Sequence, residues 1–389
     1  MKNGMRVLGA VCAVLLATPG VALLALDHGF AADARYRAES VLDDAFSERA
    51  LASTLRLRLG YLSPAWQGWQ AFAEFEGVLE VGRDRYNSTA NNRTGFPVVA
   101  DPQDTELNQA YLSRGIGDAV LRLGRQRINI ANQRFIGSVE FRQNEQTFDA
   151  VMLRLPASGG SLQLGFISQV NRVYGAHHPH EVLAVTATRT LLIDYERRFA
   201  VVDVSTYAHL IELPDSPGAS HQNIGIRVGA KHGRFDWRAE MASQDDYRGG
   251  SEGIDAGYHR VDLGWDFELI HLGVIREVLN GGGEYSFQTP FATLHAFNGV
   301  ADKFARTPPG GLVDDAVELR GRYEGWEYGG SFHRFKADAG SVHYGNELAA
   351  FVVHPVGEGV TLRLEVADYS ADSFEKDTLK VWLTLQARL

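Results

Sequence analysis

The sequence predicts an all-β protein folded as a transmembrane antiparallel β-barrel of 18 strands, with 16 as the alternative count. Three observations carry this. Apolar and polar residues alternate with period two in segments that often reach ten residues or more. The connections between segments are alternately short and long, as expected for short periplasmic turns and longer extracellular loops. Seventeen segments count back from the C-terminus, and the even number of a bacterial single-chain barrel then assigns an eighteenth at its start. A soluble sandwich alternates as well, but its strands usually run five or six residues, whereas a tilted strand needs about ten to cross a bilayer.

The first strand is placed at residues 34–42, where Arg35, Arg37 and Glu39 share one face. It is assigned last, because walking back from the C-terminus gives seventeen segments and leaves the termini on opposite sides of the membrane. Residues 49–62 set Leu55, Leu57, Leu59 and Tyr61 against Arg56 and Arg58. Strands at 67–81, 105–114, 119–127, 146–155, 161–173, 184–196, 200–212 and 222–231 follow. Short turns fall at 63–66, 115–118, 156–160 and 197–199, and long loops at 82–104, 128–145 and 174–183.

In 234–247, Phe235, Trp237, Ala239 and Met241 oppose Arg238 and Glu240. Segments 255–266 and 267–279 meet at a tight turn near Asp266, where a wrong split would reduce the count to 16. After the long loop 280–311, residues 312–323 oppose Val317, Leu319 and Tyr323 to Glu318, Arg320 and Arg322. Strands at 326–336, 342–354, 359–370 and 378–389 complete the series, the last with Leu379, Val381, Leu383 and Leu385 against Lys380, Trp382, Thr384 and Gln386.

The rest of the composition agrees. The chain has 389 residues and a net charge of −10, so no overall basic footprint marks nucleic acid as a partner. Lys2 and Arg6 precede an apolar run to about residue 26, and Ala32-Asp33-Ala34 offers a small-residue cleavage site. Residues 1–34 therefore read as a secretory signal peptide, cleaved between about 25 and 34, and 35–389 as one barrel domain. Cys12, the only cysteine, would leave with it. No later run reaches 18 apolar residues, which excludes a polytopic helical membrane protein.

With the apolar face toward lipid, the polar face supplies Arg56, Arg58, Arg122, Arg227, Arg238, Arg320, Arg322, Arg363, Lys380 and Arg388. It also supplies Glu74, Glu76, Glu80, Glu240, Glu318, Glu347 and Glu365. Guanidinium groups bind carboxylates bidentately and stay charged, and a ladder of weak sites permits passage where one tight site would trap a polymer. The plainer reading is that such pairs cross-link strands and keep an aqueous lumen polar.

Strict alternation from Leu121 and Leu123 would aim Arg125 and Arg127 at lipid, where a mid-bilayer Arg costs roughly 2 to 4 kcal/mol. A bulge at Gly124 would turn both inward, beside a loop 128–145 that folds into the lumen with Asn132, Arg134 and Phe135 at the constriction. The alternative is a local helix or a rim position from which the side chains snorkel.

Other features are weaker. His177-His178-Pro179-His180-Glu181 and the set Asp101, Asp104 and Glu106 contain metal-ligating types without the spacing of a metal site. No G-x-S-x-G and no H-E-x-x-H occurs, and no cofactor is expected. An enzyme would need a constellation near the outer rim, and His295 on the longest loop shows no sequence partner.

Several blocks resemble the alginate export family of Gram-negative outer-membrane channels. They are Leu123-Gly124-Arg125-Gln126-Arg127 leading into Asn132-Gln133-Arg134-Phe135-Ile136-Gly137, then Arg142-Gln143-Asn144 with Gln146-Thr147-Phe148-Asp149-Ala150. His295-Ala296-Phe297-Asn298-Gly299 and Ala301-Asp302-Lys303-Phe304 follow. The resemblance implies an 18-stranded barrel whose lumen is lined by Arg and Lys, with some acidic residues, that attract uronate carboxylates.

The leading expectation is thus an outer-membrane channel for an anionic polysaccharide, its oligomers or sugar acids. A general-diffusion porin is the runner-up. Outer-membrane lipid, the barrel assembly machinery and, for an exporter, a periplasmic partner are the expected associates.

Overall fold

The computed structural model describes residues 28–82 and 85–389. Its first nine strands are β1 (Gly29–Asp43), β2 (Ala50–Leu62), β3 (Trp69–Glu80), β4 (Asp104–Ile116), β5 (Ala119–Gln126), β6 (Thr147–Ala157), β7 (Gly160–Asn171), β8 (Val185–Phe199) and β9 (Val202–Glu212). The next nine are β10 (His221–His232), β11 (Phe235–Asp246), β12 (Asp255–Asp266), β13 (Ile270–Leu279), β14 (Leu312–Tyr323), β15 (Trp326–Lys336), β16 (His343–Gly357), β17 (Val360–Ala371) and β18 (Thr378–Arg388). Each pairs antiparallel with its sequence neighbours, and β1 pairs with β18 from Asp33↔Arg388 to Asp43↔Thr378. The sheet is closed, so no strand edge is left unpaired in lipid.

The count of 18 holds, because β12 and β13 are separate strands joined at Asp266. Most boundaries match those read from the alternation to within two or three residues. The first strand is the exception: it begins at Gly29, five residues before the expected start. Asp33 is an inward residue that ion-pairs with Arg56 and Arg388, so cleavage after Ala34 would remove one member of a lumen network. The rest of the expected signal segment, residues 1–27, lies outside the described residues.

Alternation sets the two faces. Leu59, Phe75, Met241 and Leu348 point outward, each 56–62% exposed, within an apolar band that covers the wall. Bare apolar surface on this scale is a liability in water and the matching solvent in a bilayer. Trp69, Trp265, Tyr323 and Trp326 ring the short-turn end, at the depth where amphipathic aromatics anchor a barrel. The buried apolar residues lie inside, where Phe135, Tyr207, Tyr258 and Phe287 pack with ring centroids 5.4 to 5.9 Å from Phe135. A water-filled pore would not bury such a cluster, so something fills the upper lumen.

Candidate transport lumen

Two long loops fill it. Loop 127–146 leaves β5 and turns into the barrel, and loop 280–311 enters from the opposite wall between β13 and β14. They join each other: Ile136 and Phe291 form a β-bridge, Gly137 N–H donates to the Phe291 carbonyl at 2.9 Å, and Thr293 N–H donates to Gln133 at 3.0 Å. The blocks that carry the family resemblance are largely these two loops and what they touch.

Loop 127–146 is held on three sides. Near its start, Arg127 donates to Glu145 at 2.6 Å and to Glu74 on β3 at 2.9 Å. Arg58 on β2 pairs with Glu76 and lies 3.3 Å from Glu145. Burial raises the Glu145 carboxyl, but Arg127 and Arg58 outweigh it and hold the group down at about 2. In mid-loop, buried Arg134 spans the lumen to Glu277 on β13 at 2.8 Å, with Asn298 and Thr289 of the facing loop accepting at 3.0 and 3.3 Å. At the third side, Arg35 on β1 donates to the carbonyls of Glu140, Phe141 and Arg142. Gln143 N–H donates to Asp101 of loop 81–103 at 2.8 Å.

Loop 280–311 is held by carboxylates. Glu347 on β16 accepts the backbone N–H groups of Val300 at 2.6 Å and Ala301 at 3.2 Å. Gly299 makes this possible: its φ is +82°, and a Cβ there would collide with the Glu347 carboxylate. Asp302 gathers His295 at 2.8 Å, Arg142 at 2.8 Å and Lys380 at 3.4 Å. Burial works against its charge, and these cations together hold its carboxyl well below the usual range. His295 thus has a partner that no local motif announced, and its ring stacks on Phe141 at 3.4 Å.

What remains open is a cavity of about 360 Å³ between the joined loops and the wall made by β14 to β18 and β1. Its lining includes Arg35, Arg37, Glu318, Arg320, Arg363 and Glu365. Arg363 forms a two-bond pair with Glu365 at 2.9 Å and lies 4.2 Å over Phe351. Arg320 is 3.4 Å from Glu318, and both keep substantial exposure.

The remaining candidates sort by position. Arg122 faces inward and stacks on Tyr111 at 4.5 Å. Arg238 faces inward on β11, exposed and with no ion-pair partner among the described residues. Glu240 accepts from the Tyr207 hydroxyl at 2.8 Å. Arg322 pairs with Glu327 near the short-turn mouth. Glu347 is consumed in holding a loop, and Arg56 is fully buried beside Asp33. Asn132 is exposed and accepts from the Arg134 N–H, whereas Phe135 is buried in the aromatic cluster rather than set in an opening.

Arg125 is a correction. Gly124 has an unusual φ of +119° that brings it against the Ala110 carbonyl, yet neither neighbouring strand shifts register there. Alternation therefore continues and Arg125 points outward, opposite Ala110 and Asp149. It pairs bidentately with Asp149 at 2.7 and 3.1 Å, near the long-loop end where an outward charge is cheap. Arg127 turns inward because β5 ends at Gln126.

Sequence reading also missed groups. Arg260 and Glu277 lie on inward positions of β12 and β13, and the alternation of Tyr258, Arg260 and Asp262 with Val261 and Leu263 was the available signal. Arg142, Glu145 and Asp302 are loop residues that no periodicity marks. His178, in the histidine-rich loop, is buried, with its ring nitrogens at the Thr89 carbonyl and the His180 backbone.

The sequence profile of alginate export proteins matches residues 27–272. The chain belongs to the alginate export family. Its solved structural neighbours are outer-membrane barrels. OccAB4 of Acinetobacter baumannii superposes with a TM-score of 0.73 at 11% identity, over 92% of this chain and 97% of that one. OccK9 (OpdG) of Pseudomonas aeruginosa gives 0.71 at 14% identity, over 93% and 99%. Pseudomonas aeruginosa OpdK, solved with vanillate, gives 0.67 at 12%, over 92% and 98%. At these identities the likeness is one of fold. No curated protein sequence matches the chain. Family and architecture together make this alginate export protein an outer-membrane channel.

Proposed function

We propose that this channel passes an anionic polysaccharide of the alginate type, its oligomers or sugar acids, and that the cavity beside the joined loops is the selective point. The observation that carries the reading is the convergence of Arg35, Arg37, Arg320 and Arg363 on one opening of about 360 Å³. Arg35 is buried and held by backbone carbonyls, with no carboxylate within ion-pairing distance among the described residues, so its charge adds to the positive field at the cavity wall without a direct counter-ion. Glu318 and Glu365 keep Arg320 and Arg363 oriented and weaken those two sites, which favours passage over trapping, while buried Arg37 is paired with Asp101 at 3.7 Å.

A small carboxylate as cargo is the second reading, favoured by the cavity volume of about 360 Å³ and by the vanillate in the OpdK structure. A general-diffusion porin fits less well, because the upper lumen is occupied by buried loops. An exporter would take polymer from a periplasmic partner, while an uptake channel would need only a gradient. Insertion would rely on the barrel assembly machinery after secretion, with the signal removed ahead of Gly29 so that Asp33 is retained.

Planar-bilayer recordings under a salt gradient test the reading, with oligouronate or a monomeric uronate added to one side. Anion selectivity with oligouronate block is the expected result. Open conductance without selectivity or block would return the protein to the general porins.

A further inference from the structure

The lipid-facing wall carries few charges, and near the long-loop end the guanidiniums on β5 and β8 are matched by carboxylates. Arg125 is paired with Asp149 and Arg189 with Glu212. The sector formed by β13, β14 and β15 departs from this. Arg276, Asp315 and Arg334 are register neighbours on the outward face, and Lys336 continues that face one position higher. Asp315 is engaged by Arg276 at 2.6 Å. Arg334 is exposed, and its Nε donates to His343 Nε2 at 3.4 Å, with His343 in turn held by Asp372 at 3.0 Å. Lys336 makes no ion pair among the described residues. Three cations therefore lie beside Asp315 on a surface that faces lipid, with Asp372 reached only through His343.

Depth identifies the partner. Below Arg334 on the same face come Phe332, Gly330, Tyr328 and Trp326, the last in the aromatic ring at the short-turn end. Arg334 is about 26 Å along the strand from Trp326 and Lys336 about 33 Å; a tilt of about 35–45° reduces these to roughly 20 and 25 Å of height, against an apolar band about 25 Å tall. Lys336 thus sits at the upper edge of the band, and Arg334, about 5 Å lower, is within reach of the outer-leaflet headgroups through its long side chain. An uncompensated cation there is stabilised by an anion that stays in the membrane, and a phosphate presents oxygens to guanidinium and ammonium donors together.

We propose that Arg276, Arg334 and Lys336 form a seat on the outer wall for the phosphate of an outer-leaflet glycolipid. The seat is independent of the cargo reading, since none of the three faces the lumen. Bound lipid would brace β13 to β15, the wall from which loop 280–311 enters.

The test uses the full barrel refolded in detergent and native mass spectrometry with lipid A as the probe, in phosphorylated and dephosphorylated forms. The wild type is expected to retain phosphorylated lipid A about tenfold better than the dephosphorylated form. The double variant R334Q/K336Q should lose that preference, while R189Q, elsewhere on the lipid face, should keep it. Heat-modifiability on gels establishes that each variant is folded. Should a variant fail to fold, the comparison of the two lipid forms on the wild type still decides. Equal retention of both forms, or an unchanged preference in the double variant, would overturn the proposal. Displacement of lipid A by inorganic phosphate at equal concentration would also overturn it, because the seat would then be one for free phosphate.

Discussion

Arg134, in the loop after β5, reaches across the barrel to Glu277 on β13, with Nε 2.8 Å from Oε1 and both side chains essentially shut off from solvent. The pair fastens the two inward loops to the wall opposite the point where the first one enters. Tyr258 and Asn298 satisfy the same carboxylate at 2.8 and 2.6 Å, so it is fully used in the closed state.

Replacing one member alone should therefore be costly. Arg134→Ala leaves buried Glu277 with Arg260, at 3.5 Å, as its remaining ion-pair partner, so the cost should fall below the roughly 3–5 kcal/mol of breaking an isolated buried pair. The closed sheet should survive, with the loss falling on the loops. The expected outcome is a larger and noisier single-channel conductance, together with faster amide exchange in 128–145. An unchanged conductance would mean that the loops are held without this pair.

At the cavity wall, Arg320→Ala and Arg363→Ala should each weaken oligouronate block. A hydrogen bond to a charged group is worth about 1.5–3 kcal/mol, and the exposure of both guanidiniums places the loss at the low end, near tenfold in the blocking constant. Arg125→Ala should leave block and selectivity unchanged, because that side chain is on the lipid face. Titration of block by oligouronate concentration measures all three.

Acid should release the first loop. The Glu145 carboxyl titrates at about 2 in the folded state, below the 4.5 of an ordinary glutamate. Its charge therefore stabilises the folded loop fully above about pH 4.5, and that stabilisation is lost as pH falls through 2. The protection factors for hydrogen exchange in 128–145, rates taken relative to the intrinsic exchange at each pH, should be flat from neutral pH to about 4.5 and should fall below it. The variant E145Q, which cannot carry the charge, should show fast exchange already at neutral pH.

Gly299→Ala tests the second anchor. A Cβ at φ +82° is strained and collides with Glu347, at a cost of about 1–3 kcal/mol. Loop 280–311 should loosen while the barrel's heat-modifiability on gels stays normal. Wild-type exchange rates in that loop would show that Glu347 adapts.

The strands were legible because each has to satisfy two solvents at once. Leu379 to Leu385 against Lys380 to Gln386, sustained over a strand long enough to cross a bilayer, is the pattern a wall between lipid and water demands, and it fixed β18 almost to the residue. Where that demand stops, reading stopped as well. At Gly124 the alternation did give the direction of Arg125, and the error came from assigning that residue to mid-bilayer, since residue order along one strand does not reveal depth.

By itself, then, the sequence determined a closed barrel, counted at 18 strands with the even-number rule, the two faces of its wall and most of the inward cations on its strands, Arg260 being missed and Arg125 misplaced. Only the tertiary structure decided which of those cations meet an open cavity and which are spent on holding loops. Arg58 and Arg363 look alike in sequence, yet one is buried against Glu76 and Glu145 while the other borders the opening. The physical reason is range. Alternation is a local property of one strand in its two solvents, whereas Arg134 with Glu277 and Arg142 with Asp302 join residues far apart along the chain, whose meeting exists only once the barrel has closed around its loops.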